Sequence, residues 1–443
     1  MKRIITLVAA LATLAVPAAT AQKINSESYK AKLAKSDADI ANPKKADKAA
    51  TWLNRGKICS DAIVAPTKNI FAGLDASMLQ VSIGVPPTEV NGDVQSFEWV
   101  DIHTKNGKVS AWSIKKQVLD NAYEIAKESF LKAYELDPAS AAKVKAALEV
   151  LVNHYSELGS VSLDITAYET AIDAYMKAVG LQENPAIGKV DPRYYFFAGQ
   201  LAAFLGAKNT QYFIDGEQYL TKAKDLGYSD EQGNLYYFLF HCFYGQRAAN
   251  KEYLIKAKNA LLEGIEKYPR NERIMEGLIQ LYTSEEGVGD PADLVGRIDK
   301  MLTEKQDNAD LWFARGQVFF KLKNFDECIA SFLKINDLKP NDYDTNFYLG
   351  YFYMAKGDEA NRAFNSRLDS INSQEEYQAG LKEVNAAYMK SLPWLEKAME
   401  LKPESVDCAE YLKVLCFRLR NEDGIMDKYN KYNALYKKLK GIQ

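Results

Sequence analysis

The sequence predicts an all-α fold of repeated helix pairs, an α-solenoid, with a small β-hairpin inserted near the N-terminus. The clearest observation is a complete helix–turn–helix unit of about 34 residues that runs from Ala309 to Asp342. Similar spacings of small and apolar residues recur before and after this unit. An Asn-Gly pair between two β-rich runs marks the hairpin. Because a unit this short cannot bury its apolar face alone, the pattern predicts a stack of neighbouring units.

The side chains of this unit fall into two helical sets. The first set is Trp312, Gly316 and Phe319, and the second is Phe325, Cys328, Phe332 and Ile335, followed by Pro340. Small residues let two helices approach closely, and aromatic rings fill the space around them. The proline follows the second helix because it cannot continue one. This order of aromatic and small positions resembles the tetratricopeptide repeat (TPR).

The resemblance implies a TPR superhelix with about eight repeat-like units from residue 49 to the C-terminus. Two insertions interrupt the repeats. The predicted organisation is a signal peptide (1–21), an N-terminal lead-in helix or linker (22–48), a first unit (49–138) with the hairpin insertion (60–113), degenerate repeats (139–308), and C-terminal repeats (309–443) with a long-helix insertion (355–385).

The N-terminus has the pattern of an export signal. Lys2 and Arg3 precede an apolar run from Ile4 to Val16, and Ala19-Thr20-Ala21 follows. No cysteine follows this site, which argues against a lipoprotein, and no later segment is long and apolar enough to span a bilayer. We therefore expect a periplasmic or secreted protein, with release to the surface or medium as the alternative to the periplasm.

The charge and the cysteines restrict the partners and the chemistry. The formal charge is −3, and removal of Lys2 and Arg3 gives −3 − 2 = −5, so there is no basic excess to bind nucleic acid. Cys408 and Cys416 are eight residues apart on one predicted helix, about 12 Å along its axis, which is too far for a disulfide. We expect the five cysteines to be mostly small buried hydrophobic residues.

The first insertion carries the β signal. Residues 97–103 and 109–114 flank Lys105-Asn106-Gly107-Lys108, where both turn residues need positive φ. A two-residue hairpin in this register pairs Asp101 with Trp112 and Trp99 with Ile114. Trp99 and Trp112 would then share one face as candidate surface residues. A lone hairpin is marginal in water, so we expect it to dock on the helices of its own chain.

The second insertion prolongs a helix. Apolar residues recur at three- and four-residue steps from Tyr377 to Leu395, with Pro393 inside the run, where we expect a kink. This stripe extends past the length that its repeat partner can cover. Either residues 361–371 fold back over it, which we favour, or it contacts another molecule.

The sequence contains no recognisable catalytic constellation. The three histidines, His103, His154 and His241, are scattered, and HExxH, paired CxxC, Gly-rich phosphate loops and Gly-x-Ser-x-Gly are absent. We predict no catalytic residue, no metal site and no cofactor. A pair of carboxylates that converge in space stays open as a route to enzymatic activity.

A groove is the better candidate for function. In TPR proteins the first helix of each repeat lines the concave surface, so the resemblance implies a set of groove residues by position. They are Phe196, Gln200, Gln246, Arg273, Gln280, Phe313, Gln317, Phe320, Phe347, Tyr351, Met354 and Phe417, with Glu410 beside the last. The C-terminal half of this set is unusually aromatic.

Two interpretations of the aromatic groove remain open. It could take the apolar anchors of a peptide or an amphipathic helix, or a helix from the second insertion or the C-terminus could cover it. Leu53, Lys57, Phe313 and Gln317 do not reproduce the basic and amide residues with which some TPR cochaperones hold a terminal carboxylate. That function is therefore not expected.

These observations favour a non-catalytic periplasmic scaffold or adaptor that binds a protein or peptide in envelope assembly or transport. The alternative is an envelope protein that binds a glycan or nutrient, since the chain has 27 Tyr, 19 Phe and 5 Trp. The repeat itself uses many aromatic residues, so this content is weak support. The sequence does not determine the oligomeric state.

Overall fold

The computed structural model describes residues 23–442. These residues form two compact units, and the boundary in the sequence falls between Ser229 and Asp230. Both units are built from helices that pack against their sequence neighbours, and the predicted all-α repeat fold is confirmed. The predicted signal peptide, residues 1–21, lies outside the described residues. Within residues 23–442, every helix is too short or too polar to cross a bilayer.

The first unit holds three consecutive helix pairs behind an N-terminal helix. Its helices are α1 (Ser26–Ala41), α2 (Pro43–Ala46), α3 (Ala49–Val64), α4 (Leu79–Ile83), α5 (Ala122–Leu136), α6 (Ala141–Asp164), α7 (Tyr168–Gln182), α8 (Pro192–Leu205) and α9 (Gln211–Asp225). Helix α3 pairs with α5, α6 with α7, and α8 with α9, while α1 packs on α3. The first pair is interrupted in sequence because a small sheet lies between α3 and α5.

The sheet is larger than the predicted hairpin. It has four antiparallel strands in sequential order: β1 (Glu89–Asn91), β2 (Val94–Ser96), β3 (Val100–Lys105) and β4 (Lys108–Ile114). The predicted turn is present, since Asn106 and Gly107 have φ values of 54° and 74°. Strand β4 contacts α6, so the sheet docks on helices of its own chain as expected.

The predicted strand register is wrong by one residue. Trp112 pairs with Ile102 rather than Asp101. The shift arises at a bulge between His103 and Thr104, where Ser110 is the extra residue and its hydroxyl donates to the carbonyl of His103 at 3.3 Å. A bulge of this kind moves every later side chain by one position.

The register change also moves Trp112 into the interior. Its side chain is 1% exposed and belongs to the same core as Phe97 and Leu148, so its prediction as a surface residue is wrong. Trp99 does not share a strand face with it. Trp99 precedes β3 and is partly buried against this core.

The second unit continues the helix pairs. Its helices are α10 (Asn234–Gly245), α11 (Glu252–Lys267), α12 (Glu272–Ser284), α13 (Pro291–Glu304), α14 (Ala309–Lys321), α15 (Phe325–Leu338), α16 (Tyr343–Asn365), α17 (Gln374–Met389), α18 (Leu392–Leu401), α19 (Val406–Arg418) and α20 (Ile425–Lys440). Asn271 and Asn308 cap α12 and α14, because their side-chain oxygens accept hydrogen bonds from backbone N–H groups of the first turn. These caps fix where the first helices of two consecutive repeats begin.

The expected kinked helix at Pro393 is two helices. Helix α17 ends at Met389 and α18 begins at Leu392, so that Pro393 lies in a first turn, where its missing N–H leaves no hydrogen bond unmade. Between them, the buried hydroxyl of Ser391 donates to the carbonyl of Gly350 at 2.6 Å. This bond ties the break to α16.

The chain itself covers the apolar stripe of α17, as we favoured. Helix α16 continues through the insertion and packs along α17. Phe364, near the end of α16, is 3% exposed and its ring centroid lies 5.5 Å from that of Tyr377. The second insertion therefore lengthens a helix pair.

Paired helices approach most closely where a glycine on the first helix faces a large side chain on the second. A Cβ added to Gly316 of α14 would lie 2.5 Å from the ring of Phe332 on α15, a separation that real Cβ atoms do not show. Four further pairs share this arrangement at 2.5–2.6 Å: Gly56 with Phe130, Gly159 with Tyr175, Gly199 with Leu220, and Gly350 with Leu395. Each of these positions holds a glycine because a ring or a leucine side chain of the paired helix occupies the space that a larger residue would need.

Gly316→Ala is expected to destabilise the second unit by about 1–3 kcal/mol, since the added methyl group would overlap the ring of Phe332. Gly296→Ala is the matched control, because a Cβ there meets nothing within 4 Å. In the interior of α13 this change should stabilise by about 0.5–1 kcal/mol. Urea unfolding monitored by circular dichroism measures both. Equal shifts for the two variants would contradict the close contact.

Candidate functional site

A cleft of about 180 Å³ lies between the first helices of three consecutive repeats in the second unit. Helices α12, α14 and α16 supply its walls, and the loop before α12 supplies one end. The residues that line it are Pro269, Arg270, Asn271, Glu272, Met275, Glu276, Ile279, Phe313, Ala314, Gln317, Phe320, Lys321, Tyr348, Tyr351 and Phe352. None of these residues belongs to the second insertion or to α20, so the structure does not place either segment in this cleft.

Aromatic rings form the floor of the cleft. Phe313 and Phe320 are seven residues apart on α14 and face the rings of α16. The centroid of Phe313 lies 5.9 Å from that of Tyr348, and the centroid of Phe320 lies 5.7 Å from that of Tyr351. Phe313 is 8% exposed, and its other face packs on Phe332 at 5.5 Å. The rings are therefore held by the core and not by a ligand.

Polar groups without partners lie among these rings. Gln317 lies one helical turn from both Phe313 and Phe320 on α14, and Tyr351 lines the same cleft from α16. Neither group has a hydrogen-bond partner among residues 23–442. Both side chains are partly exposed, so their polar groups are accessible to water or to a ligand.

Charged residues surround the aromatic floor. The guanidinium of Arg270 lies 5.4 Å from the ring centroid of Phe313 and pairs with Asp310, with Nε 3.1 Å from the carboxylate. Lys321 pairs with Glu276 at 3.6 Å. The rim is therefore mixed in charge, and both of its cations already have carboxylate partners.

The structure brings together four of the predicted groove residues. Phe313, Gln317, Phe320 and Tyr351 all line the cleft. Phe347 lies next to it on α16, where its ring packs on Tyr411 of α19 at 5.5 Å. These residues come from two consecutive repeats, which is the arrangement that the position argument anticipated.

Three predicted residues of α10 and α12 lie outside the cleft lining. Gln246 is 8% exposed, and its amide donates to the carbonyl of Cys242 at 3.1 Å. Arg273 is exposed and lies over the ring of Tyr237 at 5.6 Å, and Gln280 is exposed on the same helix. Glu272 and Ile279 line the cleft, and each stands one position before a predicted residue. A neighbouring face of α12 therefore lines the cleft.

The remaining predicted residues are dispersed. Met354 is 5% exposed, whereas Phe417 is 50% exposed on α19 with its ring 5.5 Å from Tyr429. Phe196 and Gln200 belong to α8 of the first unit, where Phe196 is buried and stacks on Tyr228 at 4.3 Å. They are separate from the aromatic cleft described here.

The assignment of groove residues by their position in the repeat did not predict Tyr348, Phe352 or the lining face of α12. Tyr348 stands 34 residues after Ala314, a small lining residue of the preceding repeat. Ala314 and Tyr348 occupy equivalent positions in consecutive repeats but differ in residue type. The position could therefore not be recognised from one repeat to the next. The useful signal would have been the i, i+4 aromatic pair of Tyr348 and Phe352, whose rings stack at 5.8 Å.

A second cleft, of about 390 Å³, lies in the first unit between α1 and the segment that follows β4. Trp99 lines it together with Lys30, Asp37, Lys116 and Asp120. The ammonium of Lys116 lies 4.1 Å from the ring centroid of Trp99 and pairs with Glu98. Because a lysine already occupies the indole face, Trp99 is a poor platform for a sugar ring.

No group of three or more His, Cys, Asp or Glu residues within the described chain could hold a metal ion. All five cysteines are buried, and burial raises the pKa of Cys59 and Cys416 to about 11 and of Cys408 to about 12. Such thiols stay protonated at neutral pH and are poor nucleophiles. The prediction that the cysteines are packed apolar residues is confirmed for these three.

Residues 309–342 match the family model of the tetratricopeptide repeat. Together with the helix pairs around it, this match defines the chain as an α-helical repeat protein that contains a tetratricopeptide repeat at residues 309–342. The match covers α14, α15 and the turns around them, which include the floor of the cleft. No curated protein matches the chain.

Several solved structures are similar to this chain. A TPR repeats protein (BF2334) from Bacteroides fragilis NCTC 9343 is 18% identical and aligns over 60% of this chain and 97% of its own, with a TM-score of 0.27. The C-terminal part of a TPR repeat-containing protein from Cytophaga hutchinsonii is 12% identical over 64% and 95%, with a TM-score of 0.35. YrrB, described as a TPR protein with an unusual peptide-binding site, is 16% identical over 64% and 98%, with a TM-score of 0.25. Matches at this level carry no argument about function.

The imidazole of His154 on α6 should make the first unit sensitive to acid. Burial lowers its pKa to about 4, whereas an unfolded histidine titrates near 6.5. Since the unfolded chain binds this proton first, the associated stability is complete above about pH 6.5 and is lost between about pH 6.5 and 4, at up to about 1.4 kcal/mol per pH unit. Urea unfolding of the wild type and of His154→Gln at several pH values measures the effect. Parallel pH profiles for the two proteins would contradict it.

Proposed function

We propose that the protein is a non-catalytic adaptor that binds an extended segment of a partner protein in the cleft between α12, α14 and α16. The volume supports this proposal. Pockets for whole small molecules usually hold about 300–1,000 Å³, and this cleft holds about 180 Å³. A space of that size suits one or two side chains of a longer ligand, with the rest of the ligand lying along the helices.

The observation that carries the proposal is the unpartnered amide of Gln317 between the rings of Phe313 and Phe320. An amide offers both a donor and an acceptor, which is what the backbone of an extended peptide requires. The flanking rings would take its apolar side chains. The backbone groups of a helical ligand are already paired with one another, so the amide of Gln317 favours an extended segment.

The export-signal pattern at the N-terminus supports a place of action in the periplasm, in envelope assembly or transport. This location belongs to the proposal. The alternative ligand, a glycan, lacks a specific supporting contact. In the cleft of the first unit, Lys116 covers the ring of Trp99, and the cleft of the second unit is small for a sugar chain.

Gln317→Arg is expected to block binding without disturbing the core, because this side chain is only partly buried and has no hydrogen-bond partner among residues 23–442. The larger cation would fill the centre of the cleft. Peptides selected from a random display library on the wild-type protein should bind Gln317→Arg at least about tenfold more weakly, a loss of about 1.4 kcal/mol. Fluorescence anisotropy measures the dissociation constants.

Asp337→Arg is the matched control, since Asp337 is exposed on α15, a second helix outside the cleft. It introduces the same side chain and should leave peptide affinity unchanged. Circular dichroism verifies that both variants are folded. Selection of no peptide, or equal affinity of the selected peptides for the wild type and Gln317→Arg, would overturn the proposal.

A further inference from the structure

The cations at the rim of the cleft are already neutralised. Arg270 pairs with Asp310, and Lys321 pairs with Glu276. Glu272 also lines the cleft but forms no ion pair among the described residues. The charge that remains available to a ligand is therefore negative.

Asp344 adds to this charge at the same end of the cleft. It lies in the first turn of α16, one helical turn before Tyr348, and like Glu272 it is exposed and has no ion-pair partner among residues 23–442. Burial raises the pKa of the Tyr348 hydroxyl, Glu272 and Asp344 raise it further and Arg270 lowers it, so these three charges all lie near that hydroxyl. Since Arg270 is paired with Asp310, Glu272 and Asp344 are the charges near Tyr348 that have no ion-pair partner among residues 23–442.

The preceding repeat shows which residue pairs with the equivalent acid. Asp310 of α14 stands 34 residues before Asp344, and Arg270 bridges it to the ring of Phe313. Arg270 comes just before the capping residue Asn271. The residue just before the next capping residue, Asn308, is Asp307. The residue before the cap is thus a cation in one repeat, Arg270, which contacts Asp310 and Phe313. In the next repeat the residue at this position is an acid, Asp307.

From this juxtaposition, and resting on the proposed peptide-binding function, we infer that the partner segment carries a lysine or arginine beside its apolar anchor. This cation lies against the ring of Tyr348 between Glu272 and Asp344, while the anchor enters between Phe313, Phe320 and Tyr351. A cation over an aromatic ring and next to a carboxylate gains from both contacts. The ligand preference is thus opposite to that of a site built to hold a terminal carboxylate.

Three fluorescein-labelled peptides of equal length test the inference. Each has a central phenylalanine, flanked on both sides by lysine, by glutamate or by glutamine. The lysine peptide should bind the full-length protein at least about tenfold more tightly than the glutamate peptide, with the glutamine peptide between them. This advantage should shrink as the salt concentration rises, because the acids are exposed.

The double variant Glu272→Gln with Asp344→Asn should abolish the difference between the lysine and glutamate peptides. The matched control is Glu266→Gln with Asp337→Asn, which removes the same two groups from exposed sites on α11 and α15 and should change nothing. Circular dichroism again verifies folding of both.

The outcomes separate this inference from the proposed function. If all three peptides bind equally and Gln317→Arg weakens them all, the cleft binds peptides and the charge preference is wrong. A preference for the glutamate peptide, or an undiminished lysine preference in the Glu272→Gln, Asp344→Asn variant, also overturns the inference. Sedimentation serves as a further check, since a dimer that Gln317→Arg dissociates would assign the cleft to a second copy of the chain.

Discussion

The close contact between a glycine of one helix and a large side chain of the next is the constraint on which the repeats depend. Among the described residues it recurs in six helix pairs, three in the first unit and three in the second, where Gly357 of α16 faces Tyr388 of α17 in the same way. The contact fixes both the separation and the rotation of the paired helices, because the ring occupies the space that a side chain at the glycine would fill. In the α14–α15 pair the same rotation turns Trp312 and Phe319 away from the cleft and aims Phe313, Gln317 and Phe320 at it.

The cleft follows from that rotation. First helices of consecutive repeats lie side by side, so a position on α14 meets its counterparts on α12 and α16. Phe332 contacts both the helix pair and the cleft. One part of its ring fills the space beside Gly316, and its ring centroid lies 5.5 Å from those of Phe313 and Tyr348. The floor of the cleft is thus preorganised by the core, which lowers the entropic cost of binding a segment there. In the proposed function, the charges at its rim select among segments.

The sequence was sufficient for the elements that depend on local pattern. The unit from Ala309 to Asp342, the Asn106-Gly107 turn and the caps at Asn271 and Asn308 all follow from spacing or from turn and cap chemistry. The bulge at His103 depends on how the two strands pair, which no residue pattern marked. Pro393 marked a kink, but the full break at Ser391 depends on its bond to the distant Gly350. Four of the fifteen lining residues were accessible in the same way, Phe313 and Gln317 among them, whereas Tyr348 and the pairing state of Glu272 depend on which side chains meet across helices.

A double-mutant cycle at Gly316 and Phe332 tests the central contact most directly. Phe332→Leu removes the part of the ring that occupies the space beside Gly316, so the methyl group of Gly316→Ala should fit better in the double variant. Unfolding free energies should then show a coupling of about 0.5–3 kcal/mol, with the double variant more stable than the sum of the single effects predicts. Additive effects within about 0.5 kcal/mol would show that the two residues do not share this space, and would contradict the account.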